Sequence, residues 1–410
     1  MGRMTASVPA QRMRAEREAR GWSQREAVRQ LRMHSPGSLP SDESLIRSWK
    51  KWEAGDHLPD SFYRPLIAEL FGTVTAAMFP GPPTASGDPV LLAATGMSTM
   101  EIVARVRSSS VDNATLEGLR IAADQLCCEY PYMPSAQLAI EGQQWLRRIT
   151  ILLERHLTLS QHREVLSLAG LVALLVGCVE NDMGNRRAAE ATRRSALALG
   201  TEADDRRVMG WAHEMSAWFS LTDADYPGVI AAADAGIAVA GKRDVSVQLH
   251  AQRAKAFARV GDRRNLEIAL DTGRRLLEDQ PYPDDLSHQF VIDPGKWDFY
   301  AMDCYRQSGQ DELAQTYAEE ILRAGTGPDG QVRTPMRNAE AEVTLAVVAA
   351  RSGDLTSAIS YGEQALSGER KSLPSLLMVS QELAAVVRQR WPGESDTKEY
   401  IGRLRQIATA

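Results

Sequence analysis

Cysteine is scarce: four in 410 residues, Cys127, Cys128, Cys178 and Cys304, without CxxC spacing or histidines at zinc-ligand separations. That excludes a disulfide framework or a structural zinc as the organising device, and the four read as buried, reduced thiols of a cytoplasmic protein. Aromatic residues make up only 6% while alanine is abundant, which favours closely packed helices over a sandwich of aromatic and β-branched strands. The most apolar stretch, Leu166 to Val179, contains Ser167 and stops short of the ~20 residues that span a bilayer. The start, MGRMTASVPAQRMRAER, has no apolar signal-peptide core. GxSxG, HExxH and GxxxxGK[ST] are all missing, and the seven histidines form no ligand pattern. The expectation is a cytoplasmic, non-enzymatic protein without cofactor, metal or membrane partner.

What is present points to an all-α protein of two or three units. Hydrophobic residues at 44% and charged residues at 24% are ordinary for a folded chain and exclude wholesale disorder. The net charge of −6 is split: residues 1–75 carry 12 Lys/Arg against 9 Asp/Glu, leaving 35 against 44 for the rest. A mildly basic head on an acidic body permits nucleic-acid contact by the head.

Residues 10–20 are helix formers stopped by Gly21, and Ser23 with Glu26 forms a capping-box pattern opening SQREAVRQLRM. After HSPGSLP, Ser41 or Asp42 caps a third helix, DESLIRSWKKWEA, which ends at Gly55. Leu45, Trp49 and Trp52 fall on one face at i, i+4, i+7; Ser44, Arg47, Ser48 and Lys51 fall on the opposite face, with Lys50 beside them. Such a helix suits a major groove, its apolar side fixing the approach while hydroxyls meet phosphates or base edges and Arg47 reaches guanine. The same spacing also suits a solvated face on an ordinary three-helix core.

The stretch from REARGWSQREAV through IRSWKKWEAGDHLPDSFYRPLIAELFG, with Gln24 after the cap, the Trp52-Glu53-x-Gly55 ending, Pro59 and a final packing helix, resembles the lambda-repressor-like, XRE-type helix-turn-helix family. The resemblance covers residues 9 to 75. It implies that the third helix is the recognition helix and that Gln24 braces it or touches a phosphate. Residues 34–40 depart from the usual 3–4-residue turn; the insertion resembles one carried by actinobacterial members.

FPGPPTASGDP, residues 79–89, reads as a linker between a head at 1–78 and a body at 90–410. Aligning the body on turns at Gly184, Ala224, Gly261, Gly309 and Gly353 places small or apolar residues seven before (Gly177, Ala217, Ala254, Met302, Ala346), five after (Ala189, Val229, Leu266, Ala314, Ala358) and twelve after (Ala196, Gly236, Gly273, Ile321, Ala365). These repeated hairpins resemble tetratricopeptide repeats over about residues 165 to 390, an α-solenoid with turns 37 to 48 residues apart against ~34 in that repeat. A generic alanine-rich bundle is the alternative.

Helical phase turns Asn181, Trp211, Glu214, Trp218, Gln248, Lys255, Arg259, Phe299, Asp303 and Arg306 to the inner wall, a groove suited to a peptide, small molecule or protein effector. Replacing Lys255 and Arg259 by alanine is expected to leave folding intact and abolish the effector response. His213 and His250 share one repeat position, which suggests packing. The whole resembles actinobacterial regulators with this architecture, which implies a homodimer on a double-stranded operator. The alternative is a protein-interaction adaptor whose head lacks specific DNA binding.

Overall fold

The computed structural model describes residues 8–35, 39–73, 75–79, 113–155, 157–327 and 330–409. Among them every regular element is an α-helix; the one extended pairing is an isolated bridge between Thr326 and Val332. The chain divides into two compact units, Met1–Leu119 and Arg120–Ala410. From residue 80 on, the expected linker lies outside the described residues.

In the first unit α1 (Val8–Ala19), α2 (Gln24–His34), α3 (Asp42–Ala54), α4 (Tyr63–Leu70) and α5 (Thr75–Met78) enclose a core that includes Met13, Val28, Leu31, Leu45, Trp49, Trp52, Ile67 and Phe71. Gly21 and Gly55 take the left-handed backbone that stops a helix, at φ 67° and 84°. Ser23 Oγ accepts the Glu26 N–H at 3.1 Å, but the reciprocal half of the capping box is not made: the Glu26 carboxylate takes Arg29 and Gln30 instead. Helix α3 begins at Asp42, and Ser41 makes no side-chain cap bond. The long turn is anchored where it rejoins α3: Leu39 is buried in the core, and the Arg32 guanidinium donates to the Leu39 and Pro40 carbonyls and to Asp42. Its middle, residues 36–38, lies outside the described residues.

Helix α6 (Asn113–Glu129) crosses the division, and α7 (Ser135–Leu153) leads into helical pairs: α8 (Leu159–Asp182) with α9 (Arg186–Ala203), α10 (Arg206–Thr222) with α11 (Tyr226–Ala240), α12 (Asp244–Val260) with α13 (Arg263–Glu278), α14 (Pro294–Gln307) with α15 (Asp311–Ala324), α16 (Pro335–Ser352) with α17 (Leu355–Ser367), and α18 (Leu373–Arg390) with α19 (Ser395–Thr409). All five turn residues have positive φ: Gly184 77°, Ala224 58°, Gly261 77°, Gly309 74° and Gly353 103°. At three turns the next residue, Asp225, Asp262 or Asp354, caps the following helix by accepting an N–H at 3.0–3.1 Å.

Every residue placed seven before, five after and twelve after these turns is buried. The small ones are needed. A Cβ on Gly236 would lie 2.7 Å from Leu249 and 2.9 Å from the His213 Cβ, and one on Gly273 would lie 3.1 Å from the His250 Cβ. Both histidines are therefore packing residues against the next helix of the frame, and burial holds both below the ordinary imidazole range.

Two readings are corrected. Helix α8 runs 24 residues and is long and apolar enough to cross a membrane; the shorter window Leu166 to Val179 missed its polar-flanked ends. Here its apolar surface is buried against α7, α9, α10 and α18. Cys127, Cys178 and Cys304 are buried and unpaired, but Cys128 is only half-buried and its thiol donates to Asp285 at 3.2 Å.

The first helices of the pairs, α8, α10, α12, α14, α16 and α18, contact one another in succession except α8 and α18, which also meet directly, and α18 touches α10 as well. The inner helices thus close on themselves.

Candidate nucleic-acid interface and the inner polar network

Helix α3 carries its two faces as the periodicity dictates. Leu45, Trp49 and Trp52 are buried, while Ser44, Arg47, Lys50 and Lys51 are exposed and Ser48 is half-buried. Among the described residues Arg47, Lys50 and Lys51 have no ion-pair partner, so their charge is free for an external anion.

The angle of α3 is set by a carboxylate whose role the sequence reading missed. Glu53, 1% exposed, lies four residues after Trp49 and eight after Leu45, on the apolar face. It accepts Arg17 Nε at 2.7 Å and Nη2 at 3.0 Å from α1, Gln24 Nε2 at 2.9 Å from α2, and Trp49 Nε1 at 2.6 Å from its own helix. Burial pushes this carboxyl up, but the bonds from Arg17, Gln24 and Trp49 outweigh it and hold it below its ordinary value. Gln24 thus braces α3, one of its two expected roles. The signal available was the i, i+4, i+8 spacing of Leu45, Trp49 and Glu53, which assigns a charge to the buried stripe.

In the second unit the inner-wall residues are brought together, but not as an open groove. Asn181, Trp211, Glu214, Gln248, Lys255, Phe299, Asp303 and Arg306 are buried; only Trp218 and Arg259 are intermediate. The charged ones have partners within the chain itself, whereas the Asn181 amide and the Trp211 Nε1–H are buried without a hydrogen-bond partner among the described residues. Asp303 accepts Arg259 at 2.6 and 3.0 Å and also Arg306, with the Lys255 ammonium 3.9 Å away over the Phe299 and Tyr300 rings. Arg306 continues to Thr344 at 2.7 Å and to Glu382 at 2.9 Å, and Glu382 also takes Arg351 at 2.7 Å and Gln307. Glu214 accepts Gln248 and Gln252, both at 2.7 Å. Trp218 Nε1 donates to Ser375 Oγ at 2.9 Å.

Burial alone would raise the Asp303 carboxyl; Arg259, Lys255 and Arg306 reverse that and hold it far below the carboxylate range. Glu214 goes the other way, because burial outweighs its two amide donors.

The expectation that Lys255 and Arg259 could be replaced without structural cost is therefore corrected. Both cations are held by Asp303, and the neighbouring Arg306 is held by Glu382, which is brought by α18. Phase along one helix predicts which way a side chain points; it does not predict that a residue 76 positions further on, as Glu382 is from Arg306, covers it. Residue Glu382 carried no sequence signal beyond helical phase. A comparison of the chain with protein-family models and with curated proteins gives no match.

Proposed function

We propose that this chain is a DNA-binding transcriptional regulator: an XRE-type helix-turn-helix head that reads a double-stranded operator with α3, and a tetratricopeptide-like body that dimerises and senses an effector. The observation that carries the reading is the contrast across α3, where a fully packed aromatic face is locked by Glu53 while Arg47, Lys50 and Lys51 stand exposed and unpartnered. A helix in a major groove needs this combination, a rigid back and free donors in front. Gln24, spent on Glu53, acts through positioning in this reading.

Selection from random duplexes followed by gel shift tests it. The full chain should enrich a specific, palindromic or repeated site. Arg47→Ala and Lys51→Ala should each weaken that site by at least ~1 kcal/mol, since a good base contact is worth about 1–3 kcal/mol. Unchanged affinity in both variants removes α3 from the recognition role. The adaptor alternative rested on an open inner groove, and the charged residues expected to line it, Glu214, Lys255, Arg259, Asp303 and Arg306, are paired within the chain instead.

A further inference from the structure

The charges of the inner wall are paired within the chain, and the second unit offers a separate cavity of about 580 Å³. That is within the range of small-molecule sites, roughly 300–1,000 Å³. Its walls are the loop at 285–289, the first turns of α14, the end of α15 and the segment 333–337 entering α16. The loop belongs to the 280–296 stretch that makes this hairpin the longest-spaced of the series.

The cavity holds opposite charges that are at most loosely paired with each other. Arg337, whose side chain is 26% exposed, makes no hydrogen bond among the described residues, and its nearest carboxylate is Asp293 Oδ2 at 4.0 Å. Asp293 caps α14 through its other oxygen, Oδ1, which accepts the Lys296 N–H at 3.1 Å, so the contact to Arg337 is a long ion pair without a hydrogen bond. Arg333 is exposed on the same wall, also without an ion-pair partner among the described residues. Asp298, in the same lining, is half-buried, with no hydrogen bond and no cationic partner among the described residues; burial, Asp293 and Glu320 push its carboxyl up. Ile321 and Met336 line the same cavity as apolar surface.

Half-buried charges without hydrogen-bond partners are costly, and a ligand that supplies both complements removes both costs at once. We propose that this cavity binds a small zwitterion with an apolar body, of the class of an α-amino acid, its amine on Asp298 and its carboxylate on Arg337 with Arg333 adding charge. This names the effector class of the regulator and to that extent rests on the reading above.

The test is isothermal titration calorimetry on the full chain, without DNA, with a panel of apolar and aromatic α-amino acids and, for each, its N-acetyl and carboxamide derivative. At least one free amino acid should bind, and blocking either end should weaken it at least about tenfold, the equivalent of one lost charge-assisted hydrogen bond. Asp298→Asn should erase the penalty of acetylation and Arg337→Gln the penalty of amidation, with helical content by circular dichroism as the folding control. No binding by any amino acid, or equal binding of free and blocked forms to the unaltered protein, overturns the proposal. Because no DNA enters the measurement, a chain that binds an amino acid but selects no duplex would overturn the regulator reading and leave this site standing.

Discussion

The two units solve the problem of a buried charge in opposite ways. In the first, one carboxylate, Glu53, sits within an aromatic core and is closed off by three donors from three helices. In the second, apolar contacts run within and between the helical pairs, with Ala189, Ala196, Gly236, Gly273, Ala314 and Ala365 allowing close approach, and the charges gather where the inner helices face one another. Small domains can bury little polar surface because they have one core to lose. A closed set of helical pairs has a second interior, and Asp303 with Arg259, Arg306 and Glu382 occupies it. The difference teaches that a charged side chain on a repeat's inner face marks a ligand groove only if the array stays open.

The largest effect expected from breaking this contrast is in the second interior. Asp303→Ala strands Arg259, Arg306 and Lys255, and removing one member of a buried ionic group typically costs about 3–5 kcal/mol. Urea denaturation of the full chain should show that loss in the transition of the second unit. The Lys255→Ala, Arg259→Ala double variant should also be destabilised; full stability would reopen the groove.

Next is Glu53→Gln, which keeps the shape but removes the charge held by Arg17. A hydrogen bond to a charged group is worth about 1.5–3 kcal/mol, so the first unit should lose an amount of that order and DNA affinity should fall with it. The pH dependence has a definite sign. The folded-state value of Glu53 lies below its unfolded value, so its contribution is complete above the unfolded value of about 4.5 and is lost as pH falls through the folded one. The stability gap between the original chain and the glutamine variant should therefore shrink on acidification, and a gap that widens would assign the effect to another group.

Arg47→Ala and Lys51→Ala should do the reverse of the interior variants: at least ~1 kcal/mol lost in DNA binding with stability changed by no more than about 0.5 kcal/mol. The smallest effect is at the one turn lacking glycine. Ala224 holds φ 58° where left-handed backbone costs a residue with a Cβ about 1 kcal/mol. Ala224→Gly should raise the melting temperature of the second unit, a sharper test of the turn frame than any destabilising variant; a lowered value would mean that the Ala224 methyl contributes packing.

Much of this arrangement was legible because it is local. Ser23 at a helix start, Gly21 and Gly55 at helix ends, and the stripe Leu45, Trp49, Trp52 follow from backbone geometry and a 3.6-residue period, so the head's helices and the outward set Ser44, Arg47, Lys50 and Lys51 could be read without a fold. The turn frame was equally local in origin, since positive φ selects glycine and close packing selects small residues at fixed offsets.

Tertiary structure alone decided what those faces meet. Glu53 was visible as part of a motif, but that Arg17, Gln24 and Trp49 converge on it depends on how three helices cross. The same is true of Lys255, Arg259 and Arg306, whose inward phase was correct and whose exposure was not. Curvature is a sum of small rotations over successive helical pairs, and no local pattern encodes the point at which the sum brings α18 onto α8. The sequence by itself determined the helices and their faces, because those are set within a few residues; the closure of the inner helices, and with it the partners of the buried charges, was decided only by contacts between residues up to two hundred positions apart.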